Sequence, residues 1–174
     1  RRPRHLADRP WSDDVEVVQG DVADAASLNR ALTDVDVAFY LIHSLGTGAD
    51  FEARDRSYAQ AFTSAAAACQ VARIVYLGGL YPQDQRLSPH LESRKEVEEI
   101  FLASEVPTTV LRAAVIIGSG SASFEMLRYL TERLPVMVTP RWVDTRIQPI
   151  AVRDVLRYLV GSAAMPAEVS RGFD

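Results

Sequence analysis

The sequence contains one cysteine, Cys69, in 174 residues. A single thiol excludes an internal disulfide and is typical of proteins in a reducing compartment, so we expect a cytoplasmic protein. Cys69 lies in an alanine-rich helical pattern, and no histidine or asparagine partner is evident in the sequence. The pattern therefore predicts a packed thiol rather than a nucleophile.

Several other chemical features are also scarce or absent. The histidines His5, His43 and His90 have no metal-ligand spacing, and neither a CxxC pair nor a GxSxG elbow occurs, so we predict no metal site. No apolar run is long enough to span a bilayer, and the basic residues 1–4 are not followed by an apolar targeting segment. The net charge of -4 provides no basic surface for nucleic acid or an anionic membrane.

Short apolar runs alternate with longer helical patterns along the chain. The apolar runs are nearly continuous, as is typical of parallel strands that are buried on both faces. We predict strands at 15–18, 36–42, 73–79, within 107–118 and at 147–152, and helices at 24–34, 50–70, 88–101, 121–134 and 153–163. This alternation predicts one α/β domain over residues 1–174, a doubly wound parallel sheet of four or five strands with helices on both faces.

The helix predicted at 88–101 has an unusual inner face. Ser88 is suited to cap it and Pro89 to begin it. Helical spacing places His90 and Arg94 on the face of the apolar residues Val97 and Phe101, so both polar side chains are predicted to point inward. A buried guanidinium needs a partner, and two are open for Arg94: its (i, i+4) neighbour Glu98, or a ligand.

Small and polar residues follow the strands at their carboxyl ends, where ligands bind in sheets of this kind. Each of these loops could equally be an ordinary turn, although four of them converge on one sheet edge. The Gly118–Ser121 loop before a helix either holds a phosphate or forms a flexible turn. The residues concerned are Gly20, Asp21, Val22, His43, Ser44, Leu45, Gly78, Gly79, Ala113, Ala114 and Val115.

The order of these segments resembles the atypical and extended short-chain dehydrogenase/reductases, in their NmrA-like, NAD(P)H-binding and sugar-nucleotide-epimerase-like branch. The likeness is carried by Gly20-Asp21-Val22, "RIVYLGGLYP", "SPHLESRKEVEEIF", "VPTTVLRAAVIIGSGS" and "IQPIAVRDVLRYL". It implies a Rossmann fold that binds NADP or NAD. It also implies that the chain is a fragment incomplete at its N-terminus, because the glycine-rich phosphate loop of the family has no counterpart.

The resemblance assigns roles to individual residues. Asp21 and Val22 match the pair that contacts the adenine ring, and Arg1 or Arg2 matches the arginine that meets the 2′-phosphate of NADP, which slightly favours NADP. His43-Ser44-Leu45 matches the loop beside the ribose and pyrophosphate. Gly78 and Gly79 fall where the family has its catalytic serine, and Ala113-Ala114-Val115 matches the segment over the nicotinamide.

The family's tyrosine and lysine are replaced by His90 and Arg94 in this sequence. Tyrosine beside lysine passes a proton to a carbonyl oxygen, whereas arginine stays protonated at all working pH values. The likeness therefore favours an NAD(P)-binding protein with a degenerate catalytic site and weak or no reductase chemistry.

Two alternatives are open. One is an active NAD(P)H-dependent oxidoreductase or epimerase in which His90 donates the proton. The other is an accessory interaction subunit, for which we expect an exposed apolar patch at Tyr129, Leu134, Val136 and Trp142. The substrate and the oligomeric state have no readable determinant in the sequence.

Overall fold

The structure is a computed structural model that describes residues 9–42, 51–82, 86–118, 122–134 and 148–174. In chain order the helices are α1 (Ala25–Leu32), α2 (Phe51–Ala68), α3 (Pro89–Leu102), α4 (Ala122–Arg133) and α5 (Val152–Ala163). The strands are β1 (Val37–Tyr40), β2 (Arg73–Gly79), β3 (Thr108–Ala113), β4 (Val115–Ile117), β5 (Pro149–Ala151) and β6 (Arg171–Phe173).

The main sheet has four parallel strands in the order β1-β2-β3-β6, and β4 pairs with β5 in a separate parallel ladder. Parallel neighbours require long crossovers, which α2 provides between β1 and β2 and α3 provides between β2 and β3. The predicted parallel α/β sheet is therefore confirmed.

Alternate residues of β2 face two different hydrophobic layers. Ile74 and Tyr76 pack with the core beneath α1, α2 and α3, and Val75 packs with Val155 and Leu159 of α5. Helices consequently cover both faces of the sheet, as predicted. None of the helices in the described ranges combines the length and hydropathy that a bilayer crossing requires.

The centre of the first layer is aromatic. Tyr40 of β1 lies 5.0 Å from the Phe62 ring and 4.8 Å from the Phe101 ring, centroid to centroid. Phe101 also approaches Tyr76 at 5.2 Å. These contacts connect β1, β2, α2 and α3, so α3 is held rigidly against the sheet.

Most predicted elements form, but the strand predicted at 15–18 is wrong, and the structure has two strands that the sequence did not predict. Residues 15–18 form no strand, and Val15, Val17 and Val18 are 41–49% exposed, because no strand in the described part of the chain pairs with them. The apolar run at 107–118 forms two strands, β3 and β4, in different sheets. The final segment, for which we predicted no element, contributes strand β6.

A buried arginine attaches the C-terminal segment to the sheet. Arg73, at the start of β2, is 3% exposed. Its Nη1 donates to Thr109 Oγ1 at 2.8 Å and to the Val169 carbonyl at 2.9 Å, and its Nη2 donates to the Pro166 carbonyl. The connection between α5 and β6 is thereby fixed beside β2 and β3, and β6 can pair with β3.

Candidate functional site

The carboxyl ends of β2 and β3 lie side by side at one edge of the sheet. Gly78 pairs in register with Arg112, and Gly79 pairs with Ala113. The pairing continues one step further, since the Leu80 N–H donates to the Ala113 carbonyl at 3.0 Å. The predicted residues Gly78, Gly79 and Ala113 are therefore brought together by the sheet itself.

Asp21 lies in a tight turn that leads into α1. Its N–H donates to Ser27 Oγ at 2.8 Å, and its Oδ1 accepts the Ala23 N–H at 3.1 Å. A Cβ on Gly20 would lie 2.8 Å from Ser27 Oγ, so only glycine allows this approach. Val22 packs against the core. The turn and α1 enclose a polar recess lined by Gln19, Gly20, Asp21, Asp24, Ser27 and Arg30.

Gly79 and Arg94 occupy one shared space. A Cβ built on Gly79 would lie 3.1 Å from Arg94 Cδ and 3.4 Å from Arg94 Nη1. Contacts at 3.1 Å are tighter than ordinary van der Waals distance, so a side chain at position 79 requires Arg94 to move. The neighbouring Gly78 is similarly confined, because its Cβ would meet Tyr76 Cε1 at 3.1 Å.

Arg94 is half-buried, and its Nε–H is buried with no hydrogen-bond partner among the described residues. An unpaired buried donor is costly. The predicted inward position of Arg94 is therefore observed. The guanidinium also has donor capacity left for a ligand oxygen.

His90 does not point inward as predicted. It lies in the first turn of α3 and is exposed, with its ring 6.2 Å from the Phe51 ring. The helical face was assigned correctly, since Val97 and Phe101 are buried. His90 lies two turns before Val97, so the core that covers the middle of α3 does not extend to it.

Glu98 does not pair with Arg94 but with Arg112 of β3. Arg112 Nε lies 3.1 Å and 3.0 Å from the two carboxylate oxygens, and Nη2 also donates to Oε1. Tyr81 OH donates to Glu98 Oε2 at 3.1 Å, and Asp174 Oδ1 accepts from Arg112 Nη1 at 2.8 Å. Glu98 is 3% exposed, so its carboxylate is a buried, hydrogen-bonded member of this ion pair.

The Glu98 hydrogen bonds raise the pKa of Arg112, which keeps its charge. Gly172 of β6 accommodates the pair, because a Cβ there would overlap Arg112 Nη2. Sequence reasoning missed Arg112, although an arginine at the end of an apolar strand indicates a paired or ligand-binding cation.

Two tyrosines of the sheet, Tyr40 of β1 and Tyr76 of β2, are buried. Burial raises the pKa of Tyr76 well above its usual range, while the charge of Arg94 opposes that shift. Burial likewise raises the pKa of Tyr40, and the charge of Asp55 adds to the shift. Both tyrosines are 2% exposed and keep their protons at neutral pH.

The remaining predicted residues divide into two groups. Ala114 is exposed between β3 and β4, Val115 begins β4, and Ala113 and Ala114 both line a cavity beside α5. Tyr129 and Leu134 are 57% and 46% exposed. Arg1, Arg2, His43, Ser44, Leu45, Ser119, Gly120, Ser121, Val136 and Trp142 lie outside the described residues.

Polar groups are available at two of the placed sites. The polar recess at Asp21 suits the hydroxyl and amine groups of an adenosine, and Arg94 offers a donor to a ribose hydroxyl or phosphate oxygen. No group of three or more potential metal ligands occurs within the described ranges.

A protein-family model described as NAD(P)H-binding matches residues 1–128. No curated protein sequence matches the chain.

Solved structures show the same fold. WbmG of Bordetella bronchiseptica in complex with NAD and UDP is 20% identical, with a TM-score of 0.70 over 91% of this chain and 56% of that one. UDP-N-acetylglucosamine 4-epimerase from Bacillus cereus is 15% identical, with a TM-score of 0.67 over 88% and 62%. Triphenylmethane reductase of Citrobacter sp., complexed with NADP(H), is 25% identical, with a TM-score of 0.55 over 75% and 42%. The chain therefore spans less than two thirds of the length of these proteins.

Proposed function

The chain belongs to the NAD(P)H-binding family, and we propose that it contributes a dinucleotide site in which the standard proton relay of short-chain dehydrogenases is lost. The sheet edge formed by Gly78, Gly79 and Ala113 would lie beside the nicotinamide end of the cofactor. The Asp21 recess would hold the adenosine end. NADP is the preferred form if Arg1 or Arg2 meets its 2′-phosphate.

The contact between Gly79 and Arg94 carries this proposal. The family places a serine hydroxyl at the end of this strand to hold a substrate carbonyl. Here the side chain of Arg94 lies within 3.1 Å of where a Cβ at position 79 would be. The loss of the serine and the gain of an arginine are thus one packing arrangement, in which a side chain at position 79 would require Arg94 to shift.

The chemistry of the remaining groups supports the same conclusion. Lysine in the family lowers the pKa of a tyrosine that then donates a proton, but α3 has no tyrosine among the residues Pro89–Leu102. A guanidinium is a hydrogen-bond donor and not a proton relay, so Arg94 can bind and orient a cofactor oxygen but cannot replace the tyrosine.

Titration of the protein with NADH and NADPH, followed by the fluorescence of the bound nicotinamide, tests cofactor binding. We expect saturable binding that weakens roughly tenfold in Arg94→Ala, which corresponds to the loss of one charge-assisted hydrogen bond. The matched control is Arg54→Ala, because Arg54 is exposed on α2. If neither NADH nor NADPH binds, the proposal is overturned.

A second candidate function is an active NAD(P)H-dependent oxidoreductase, and it is favoured by the exposure of His90 one turn before Arg94. An exposed imidazole can donate a proton near neutral pH. The assay is NADPH oxidation with 1,4-naphthoquinone or an aromatic aldehyde. We expect no turnover above the uncatalysed rate. Turnover that His90→Phe abolishes would establish this candidate and refute the degenerate site.

A further inference from the structure

A cavity of about 610 Å³ lies at the carboxyl ends of β2, β3 and β6, on the face of the sheet that α5 covers. This volume is within the range of small-molecule sites, roughly 300–1,000 Å³. Most of the cavity wall is apolar and comes from several elements. Its apolar side chains include Leu77, Leu80, Leu111, Ile150, Tyr158 and Phe173.

Polar side chains form the smaller part of the cavity wall. Arg112 and Asp174 reach its wall, but they are paired with each other and, through Arg112, with Glu98. Gln148 and Arg157 are exposed and line the same cavity. A ligand would therefore meet an apolar interior and find its charge or hydrogen-bond partners at Gln148 and Arg157.

The cavity lies next to the proposed cofactor site. Its wall includes Ala113, which pairs in register with Gly79, the residue against which Arg94 packs. Arg94 approaches from α3, whereas the cavity lies beneath α5 on the other face. The sheet, at the ends of β2 and β3, therefore separates the two.

We propose that this cavity binds a small molecule with an apolar ring system and one anionic or hydrogen-bond-accepting group, which Arg157 and Gln148 receive. A sugar nucleotide carries two phosphates and many hydroxyls. Burial of these groups against leucine, isoleucine and phenylalanine side chains would leave them without partners. The lining therefore selects an aromatic ligand over a sugar nucleotide.

The binding of such a ligand does not depend on the dinucleotide. Its role as the substrate of the neighbouring site rests on the proposed function. The two claims can consequently be tested separately in one set of variants.

Gly161 provides a direct way to fill the cavity. It lines the cavity from α5, and a Cβ at this position would have no neighbour within 4 Å. Gly161→Phe adds a ring at the wall of the cavity, and Gly161→Ala is the matched control with a single methyl group. Both changes remove a glycine from a helix interior, so neither should destabilise the fold.

The probe is 8-anilinonaphthalene-1-sulfonate, which joins aromatic rings to one anionic group. We expect its fluorescence to rise on binding, and its affinity to fall at least about tenfold in Gly161→Phe and about fivefold in Arg157→Gln, the latter through loss of one charge-assisted contact. Gly161→Ala should bind like the parent protein. 1,4-Naphthoquinone should displace the probe, and UDP-glucose should not.

The proposal is overturned if the probe does not bind, if Gly161→Phe binds it as well as the parent does, or if UDP-glucose displaces it as effectively as the quinone. The NADH titration is repeated with Gly161→Phe. If NADH binds but Gly161→Phe does not weaken probe binding, the cavity alone is refuted. If Gly161→Phe weakens probe binding but NADH does not bind to the parent protein, the cavity is supported and the proposed function is refuted.

Discussion

Gly79 and Arg94 show how one residue can determine the chemistry available to another. The arginine packs against the glycine backbone, with Cδ 3.1 Å from the position of the missing Cβ. Its Nε–H is buried with no partner among the described residues. A side chain at position 79 would therefore compete with Arg94 for the same space.

The first prediction tests this packing by Gly79→Ser. Because the new side chain must displace Arg94, we expect the free energy of unfolding to fall by about 1–3 kcal/mol. Arg94→Ala in the same chain should relieve most of that loss. Urea unfolding of the two single variants and the double variant measures the coupling.

Gly161→Ser is the control for this cycle, since a Cβ at Gly161 has no neighbour within 4 Å and should not lower stability. A coupling energy near zero between positions 79 and 94 would mean that the two side chains do not compete for one space.

At the residue scale, the sequence correctly predicted side-chain direction where the apolar face of a helix packs against the core. The inner face of α3 was predicted from Val97 and Phe101, and Arg94 follows it inward. The prediction that His90 points inward was wrong, because helical periodicity gives the direction of a side chain but not how far along the helix the core extends. The sequence also did not predict that Glu98 would bind Arg112, 14 residues away, rather than its helical neighbour.

At the scale of elements, α3 is the piece that carries the candidate site, and its start is well defined. Ser88 caps it, with Oγ accepting the Leu91 N–H at 3.4 Å, and Pro89 occupies the first turn. The Ser88 carbonyl also accepts the Glu92 N–H at 2.9 Å. His90 lies within this capped turn, so its position depends on the cap.

The second prediction concerns that cap. Ser88→Ala should cost about 1 kcal/mol of unfolding free energy and increase hydrogen exchange at the amides of Leu91 and Glu92. Ser88→Asp should retain stability, since its carboxylate accepts the same bond and suits the helix N-terminus. Ser57→Ala, an exposed change in the middle of α2, is the control. Equal exchange rates in Ser88→Ala and the parent would contradict the role of the cap.

Strands proved harder to predict than helices, because a strand requires a partner that the local sequence does not contain. Residues 15–18 have a strand-like composition, yet no described strand pairs with them. Residues Arg171–Phe173 have a weak pattern, yet they form β6 because β3 offers them an edge. One apolar run likewise divides into β3 and β4, because its first half pairs with β6 and its second half pairs with β5.

At the scale of the whole molecule, the candidate site is assembled from distant parts of the chain. The sheet edge depends on β2, β3 and β6 remaining paired, and β6 comes last in sequence. Two arginines attach the C-terminal segment. Arg73 binds the carbonyls of Pro166 and Val169, and Arg112 binds both Glu98 and Asp174. The position of Phe173 in the cavity wall therefore depends on the contacts of Arg73 and Arg112 with the C-terminal segment.

The last prediction tests this long-range attachment by Arg73→Met. Methionine fills much of the same volume, but it leaves two carbonyls and the Thr109 hydroxyl without their donor, so we expect a loss of about 3–5 kcal/mol. The loss should concentrate at the C-terminus, because the α5–β6 connection is released while the aromatic core of Tyr40, Tyr76 and Phe101 is untouched. Hydrogen exchange should accelerate at Arg171–Phe173 more than in β1.

Arg54→Met is the control, because Arg54 is exposed on α2. It should change stability by less than about 0.5 kcal/mol. If Arg73→Met leaves exchange at β6 unchanged, the strand is held by its pairing with β3 alone, and the buried arginine contributes only to the stability of its own surroundings.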